Sequence, residues 1–120
     1  MRLSNQQLGQ LGEDLAVTYL RSSGFVILDR NFRTQRVELD IVARERNTLV
    51  FCEVKTRRTL HQGLPVEAIT ATKMEHLRVA ALGWLGAHRI RVSGMRFDAI
   101  GILYAPDGTH SVSHIRGVGE

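Results

Sequence analysis

Polar and apolar positions change their period several times along the chain, and each change marks an element. Ser4-Asn5-Gln6-Gln7 has the form of a capping box, with Ser4 as N-cap and Gln7 three residues on. Leu8, Leu11, Leu15, Tyr19 and Leu20 then recur at helical spacing, and Gly24 is a natural stop, so a first helix is predicted over roughly residues 5–22. Phe25-Val26-Ile27-Leu28 reads as a short buried strand. Val37-Glu38-Leu39-Asp40-Ile41-Val42 alternates apolar with polar, as a half-buried strand does. Arg44-Glu45-Arg46-Asn47 is a polar turn, and Thr48 to Lys55 forms the next strand of an antiparallel hairpin.

Thr56 to Leu64 reads as a polar loop, and Pro65 suits the first turn of a second helix. The apolar face of that helix is Val66, Ile69, Leu77, Ala80 and Trp84. Beyond His88, residues 90–92 and 95–104 look extended, Ala105-Pro106-Asp107-Gly108 is a turn, and residues 110–116 suit a last edge strand. The order α-β-β-β-α-β-β predicts an α/β fold, a mixed sheet flanked by helices, in one domain over residues 1–120.

Strand alternation carries the candidate chemistry. Glu38 and Asp40 share one face of their strand, and Glu53 and Lys55 share one face of the next. With an even number of turn residues, Asp40 and Glu53 fall opposite one another on the same side of the hairpin. Two carboxylates so placed repel unless a cation lies between them, and oxygen donors of this kind suit Mg²⁺ or Mn²⁺. Lys55, two residues past Glu53, projects from the same face, where it can orient an attacking water or meet charge developing on a phosphate. A solvated strand face is the plainer alternative, with Glu38 and Lys55 as a cross-strand ion pair. Against it stands the nearly continuous apolar run Leu49, Val50, Phe51, Cys52, Val54, which predicts a central strand buried on both faces, where a lone Glu53 is expensive.

Lys73 sits in the middle of the second helix's apolar series, at spacings of four from Ile69 and Leu77, so it is expected to face the sheet and an anion there, either a site carboxylate or a phosphate of bound nucleic acid. Spacing alone reads Glu13 as an exposed helix glutamate, though Gly9 and Gly12 beside it would permit close backbone approach. Arg57 and Arg58 follow Lys55 in a basic loop placed to grip a phosphate backbone. Cys52, flanked by apolar residues, is expected to be an inert core thiol.

Composition adds boundaries. The single cysteine excludes an internal disulfide and a zinc site with more than one thiolate. Lys and Arg outnumber Asp and Glu by 16 to 12, which suits a polyanionic partner. No apolar run has the length of a signal peptide or a membrane span, so a cytoplasmic address and no membrane partner are the default expectations.

Several segments together resemble the YraN-like family of bacterial predicted endonucleases: Gly12-Glu13-Asp14-Leu15-Ala16, the run from Gly24 to Arg33, Glu38-Leu39-Asp40-Ile41-Val42 and Val50-Phe51-Cys52-Glu53-Val54-Lys55-Thr56-Arg57. Pro65 to Thr70, Lys73 and Arg96-Phe97-Asp98 continue the likeness over nearly the whole chain. That family is similar to the PD-(D/E)xK nucleases and to archaeal Holliday junction resolvases. The resemblance implies a restriction-endonuclease-like core and Mg²⁺-dependent hydrolysis of DNA phosphodiesters, with branched or junction DNA as one substrate and a homodimer as one assembly. It implies Asp40 and Glu53 as metal ligands, Lys55 as the catalytic lysine, Glu13 as an accessory acid and Lys73 as the basic residue of the second helix. The chain departs from the family pattern at Val37, where Gly is usual, and at Cys52, where an aliphatic residue is usual. Two other readings remain open at this point: a non-catalytic nucleic-acid-binding module on the same fold, and a protein-interaction domain using the sheet edges and Trp84.

Overall fold

A computed structural model describes residues 2–34, 37–61 and 63–119, with Val66 described by its backbone alone. The elements run α1 (Asn5–Ser22), β1 (Val26–Arg33), β2 (Glu38–Glu45), β3 (Thr48–Arg57), a 3-10 turn (Pro65–Ala68), α2 (Ala71–Ala87), β4 (Gly94–Tyr104) and β5 (His110–Ile115). The α-β-β-β-α-β-β order matches the sequence expectation, and the strands form one mixed sheet in the order β1-β2-β3-β4-β5.

The capping box closes as its residues imply. Ser4 Oγ accepts from Gln7 N at 3.1 Å, and Gln7 Oε1 accepts from Ser4 N at 2.8 Å. Gly24 ends the element at φ +91°, a conformation costly for a residue with a Cβ. The hairpin turn is tighter than expected. Strand pairing continues to Glu45↔Thr48, leaving only Arg46 and Asn47 as turn residues. Two residues, like four, is an even number, so the parity of the ladder is the predicted one as far as its last pair, Ile41↔Cys52.

β3 is the middle strand. It pairs antiparallel with β2 and parallel with β4, and the parallel pairing requires the crossover that α2 supplies. Its side chains divide between two cores. Val50 and Cys52 pack with Ala16, Val17 and Leu20 of α1, whereas Leu49 and Phe51 pack with Leu77, Ala81 and Trp84 of α2. The continuous apolar run is thus explained by burial on both faces.

Several expected boundaries are corrected. β1 does not stop at Leu28 but continues to Arg33, because β2 offers it a full antiparallel partner once a bulge between Ile27 and Asp29 resets the register. Thr56 and Arg57 belong to β3 rather than to the following loop, since β4 pairs with both. Pro65 opens a 3-10 turn and not the second helix. Thr70 is the true N-cap, its hydroxyl accepting from Lys73 N at 3.1 Å, so α2 begins at Ala71. Val66 and Ile69 therefore precede α2; Ile69 packs against the α2-side core, and the Val66 side chain lies outside the description. Residues 90–92 form no strand, although Ile90 and Val92 lean on the same core. Trp84 is buried, with Nε1 donating to Asp29 Oδ2 at 2.9 Å, so it offers nothing to a protein-interaction surface. No helix among the described residues is long and apolar enough to cross a membrane.

Candidate metal and phosphate site

β2 and β3 part company where the chemistry-bearing residues begin. The paired ladder runs from Glu45↔Thr48 to Ile41↔Cys52. One residue further on, the Asp40 side chain takes over as acceptor: Val54 N–H donates to Asp40 Oδ2 at 2.8 Å. The carboxylate is thereby held between the two strands. Burial, then the charge of neighbouring Glu53, push its pKa up to about 7, against the pull of the Val54 N–H.

Glu53 is 7% exposed. Its Oε1 lies 3.5 Å from Lys73 Nζ, so Lys73 does face the sheet from α2. Its Oε2 is buried and has no hydrogen-bond partner among the described residues. Burial raises the Glu53 pKa, with Lys73 and Lys55 pulling the other way. Two carboxyls, Glu53 buried and Asp40 half-buried, stand side by side here without enough cationic or N–H partners to ionise both comfortably.

A third acid arrives from α1. Glu13 is 8% exposed, which corrects the reading of it as a solvated glutamate. The cause is Gly12. A Cβ on Gly12 would lie 1.8 Å from Thr56 Oγ1 and 2.8 Å from Thr56 Cβ, so only glycine lets the helix settle onto the end of β3. Gly9 has no such role, since a Cβ there meets open space. Arg30 of β1 then holds Glu13, with Nε to Oε1 at 3.1 Å, and reaches Asp14 Oδ1 at 2.7 Å. Glu38 does not pair with Lys55; its Oε2 accepts from Arg33 Nε at 2.9 Å. One ligand atom each of Glu13, Glu38 and Asp40 lies within 4.8 Å of the others. Carboxylate oxygens grouped like this are the donor set that Mg²⁺ and Mn²⁺ favour.

Asp40 also lines a cleft of about 690 Å³ between the start of α1 and the end of β3. Glu13 and Asp40 form its acidic wall, whereas Lys55, Arg57, Arg58 and Arg2 bring positive charge. His61 contributes from the loop beyond β3. Arg58 is tied to the other wall, its Nη1 donating to Asn5 Oδ1 at 2.9 Å and its Nη2 to the Leu3 carbonyl. Glu53 and Lys73 do not line this cleft. The predicted site residues thus fall into two linked groups: Glu13, Asp40, Lys55, Arg57 and Arg58 around the cleft, and Glu53 with Lys73 beside it, joined through Asp40.

Sequence reasoning passed over two contributors. Glu38 was placed on the Asp40 face by alternation, which was signal enough to include it. Arg30 lies 17 residues from Glu13, and no local pattern announces that pair. Cys52 is as expected: buried, with its thiol pushed up by that burial.

A model of the uncharacterised protein family UPF0102 matches residues 12–102. A UPF0102 protein of Geotalea daltonii is 43% identical over 112 residues, covering 93% of this chain and 88% of the relative. One from Geobacter metallireducens is 48% identical over 105 residues, covering 88% of this chain and 86% of its own. One from Rhodococcus opacus is 42% identical over 112 residues, covering 93% and 95%.

Proposed function

Since the chain belongs to the uncharacterised protein family UPF0102, whose description carries no activity, we propose from the site itself that it is a divalent-cation-dependent nuclease that hydrolyses DNA phosphodiesters. The YraN-like motifs read from the sequence point the same way. The observation that carries the proposal is the buried Glu53 Oε2, without a hydrogen-bond partner among the described residues, beside an Asp40 whose pKa is raised to about 7. A site selected only for stability would pair such groups; leaving them short of positive charge prepares a place for a cation.

In this reading Asp40 and Glu53 hold Mg²⁺ or Mn²⁺, with Glu13 and Glu38 adding negative charge from the α1 side. The bound cation supplies Lewis-acid stabilisation of charge at phosphorus. Lys55 directs its ammonium at the reacting phosphate, orienting the attacking water and meeting charge on a non-bridging oxygen. The water oxygen bonds to phosphorus, the bond to the leaving sugar oxygen breaks, and the products are a phosphate monoester and an alcohol. Lys73 stays on Glu53, where it limits the repulsion between the two carboxylates. Arg57 and Arg58 border the cleft that would carry the flanking backbone.

The test incubates the protein with single-stranded, nicked and four-way-junction DNA in Mg²⁺ or Mn²⁺. Cleavage of at least one substrate, lost in Asp40→Ala, is expected. Absence of cleavage throughout, or equal cleavage by Asp40→Ala, refutes the proposal. Salt-dependent binding that survives chelation, with no cutting, would instead support a non-catalytic binding module.

A further inference from the structure

We propose that this cleft takes a single strand of nucleic acid and recognises it by its phosphates, with no reading of the bases. The inference rests on the nuclease reading only in treating the cleft as the substrate side of the acidic site.

The charge distribution argues for more than one substrate phosphate. Near the acids, Lys55 is positioned for the reacting group. Arg57 and Arg2 line the same cleft, and Arg57 Nε is buried without a hydrogen-bond partner among the described residues. A buried guanidinium N–H with no acceptor among the described residues is suited to one from a bound phosphate. A second phosphate on the same strand supplies one.

The shape argues for one strand. A cleft of about 690 Å³ falls within the usual range of small-ligand sites, about 300–1,000 Å³. That volume holds a short stretch of backbone but not a double helix. Its walls do not spread easily, because Arg58 clasps Asn5 and Leu3 across the cleft and Gly12 seats α1 directly on Thr56.

The lining argues against base recognition. Leu8, Val54 and Gly9 are its apolar members, and its described lining holds no Phe, Tyr or Trp, the imidazole of His61 being its ring. Single strands held by their bases normally find aromatic stacking platforms. With one imidazole in place of a Phe, Tyr or Trp platform, affinity comes mainly from phosphate contacts, varies little with sequence and falls steeply with salt.

The test measures fluorescence anisotropy of labelled 12-nucleotide probes in chelator, so that no hydrolysis is needed. The probes are single-stranded DNA, single-stranded RNA, an abasic single strand and a DNA duplex. We expect both single strands within tenfold of each other, the abasic strand within threefold of its parent, and the duplex at least tenfold weaker. Arg57→Ala should lower the slope of log affinity against log salt by about 0.7, the value of one single-strand phosphate contact, and Arg57→Lys should restore it. Equal or tighter duplex binding, a tenfold loss on removing bases, a tenfold DNA–RNA difference or an unchanged slope in Arg57→Ala overturns the inference. Cation-dependent cutting without single-strand preference would sink this inference and leave the nuclease reading intact; single-strand binding without cutting would do the reverse.

Discussion

Two aspartates of this sheet have opposite fates. Asp98, 2% exposed, is fully partnered: Oδ1 accepts from Arg96 Nε at 2.9 Å and from Gly117 N at 3.1 Å, and Oδ2 lies 2.7 Å from His114 Nε2. His114 Nδ1 in turn lies 2.9 Å from the Tyr19 hydroxyl, and Arg96 reaches Glu45 Oε1 at 2.8 Å. Burial works against the charge of Asp98, but His114, Arg96 and the Gly117 N–H outweigh it and hold its carboxyl below the usual range. Asp40 has one N–H and an acidic neighbour, and its pKa rises to about 7. The same residue type in the same sheet is therefore satisfied near the Tyr19 end of α1 and frustrated near the Glu13 end. Stability accounts for the first arrangement; the second is the one that the proposed cation would relieve.

Breaking the satisfied end should produce the largest effect. Asp98→Ala leaves Arg96 and His114 facing a void, and loss of about 3–5 kcal/mol is expected, the usual consequence of stripping one partner from a buried charge network. Thermal melting should show a Tm drop of roughly 10–20 °C. A drop below a few degrees would mean the network contributes little.

The next effect concerns how Glu13 is delivered. Gly12→Ala drives a Cβ into the stiff Thr56 side chain, and a loss of about 2–3 kcal/mol is expected from overpacking. Gly9→Ala is the matched control. Its Cβ meets open space, so helix propensity alone predicts a gain of about 0.5–1 kcal/mol. Equal melting temperatures for the two variants would show that close helix–strand approach is not what buries Glu13.

The smallest effect is the most diagnostic of sign. Asp40 has a raised pKa, so between its ordinary value of 3.8 and about 7 the folded protein holds a proton that the unfolded chain has released. Stability in cation-free buffer should rise as pH falls from about 7 towards 4. Asp98 works in the opposite sense: its contribution is complete above 3.8 and disappears as pH drops through its lower folded value. Asp40→Asn, which keeps an acceptor for Val54 N–H, should stabilise the protein at pH 7 by about 1–2 kcal/mol and flatten the upper limb of the curve. Urea melts from pH 3 to pH 8 would expose an Asp40→Asn variant that is no more stable than wild type.

These two regions were unequally legible in the chain. Asp40 and Glu53 could be expected near one another from residue parity, because a tighter turn of two residues leaves parity unchanged up to Ile41↔Cys52, the pair just before them. Lys73 could be aimed at the sheet from helical spacing alone. Glu13 could not be placed, since its burial depends on Gly12 meeting Thr56, 44 positions along the chain. Pro65 misled because a proline that suits the first turn of an α-helix suits a 3-10 turn equally well, and Thr70 was the better cap. The Asp98 network was invisible as a network: Arg96-Phe97-Asp98 stood out only as a motif, and its partners Glu45, His114 and Tyr19 come from β2, β5 and α1. Short-range periodicity reveals which side chains share a face; which elements become neighbours is decided by the sheet order and by the parallel β3–β4 pairing.

The claim that Asp40 and Glu53 are held short of positive charge for the sake of a cation is tested most directly by melting wild type and Asp40→Asn at pH 7 across a Mn²⁺ titration. Wild type should gain several degrees in a saturable manner, as expected when a ligand binds only the folded state, and Asp40→Asn should gain none. A wild-type Tm unmoved by millimolar Mn²⁺, or an equal rise in the variant, would contradict the account.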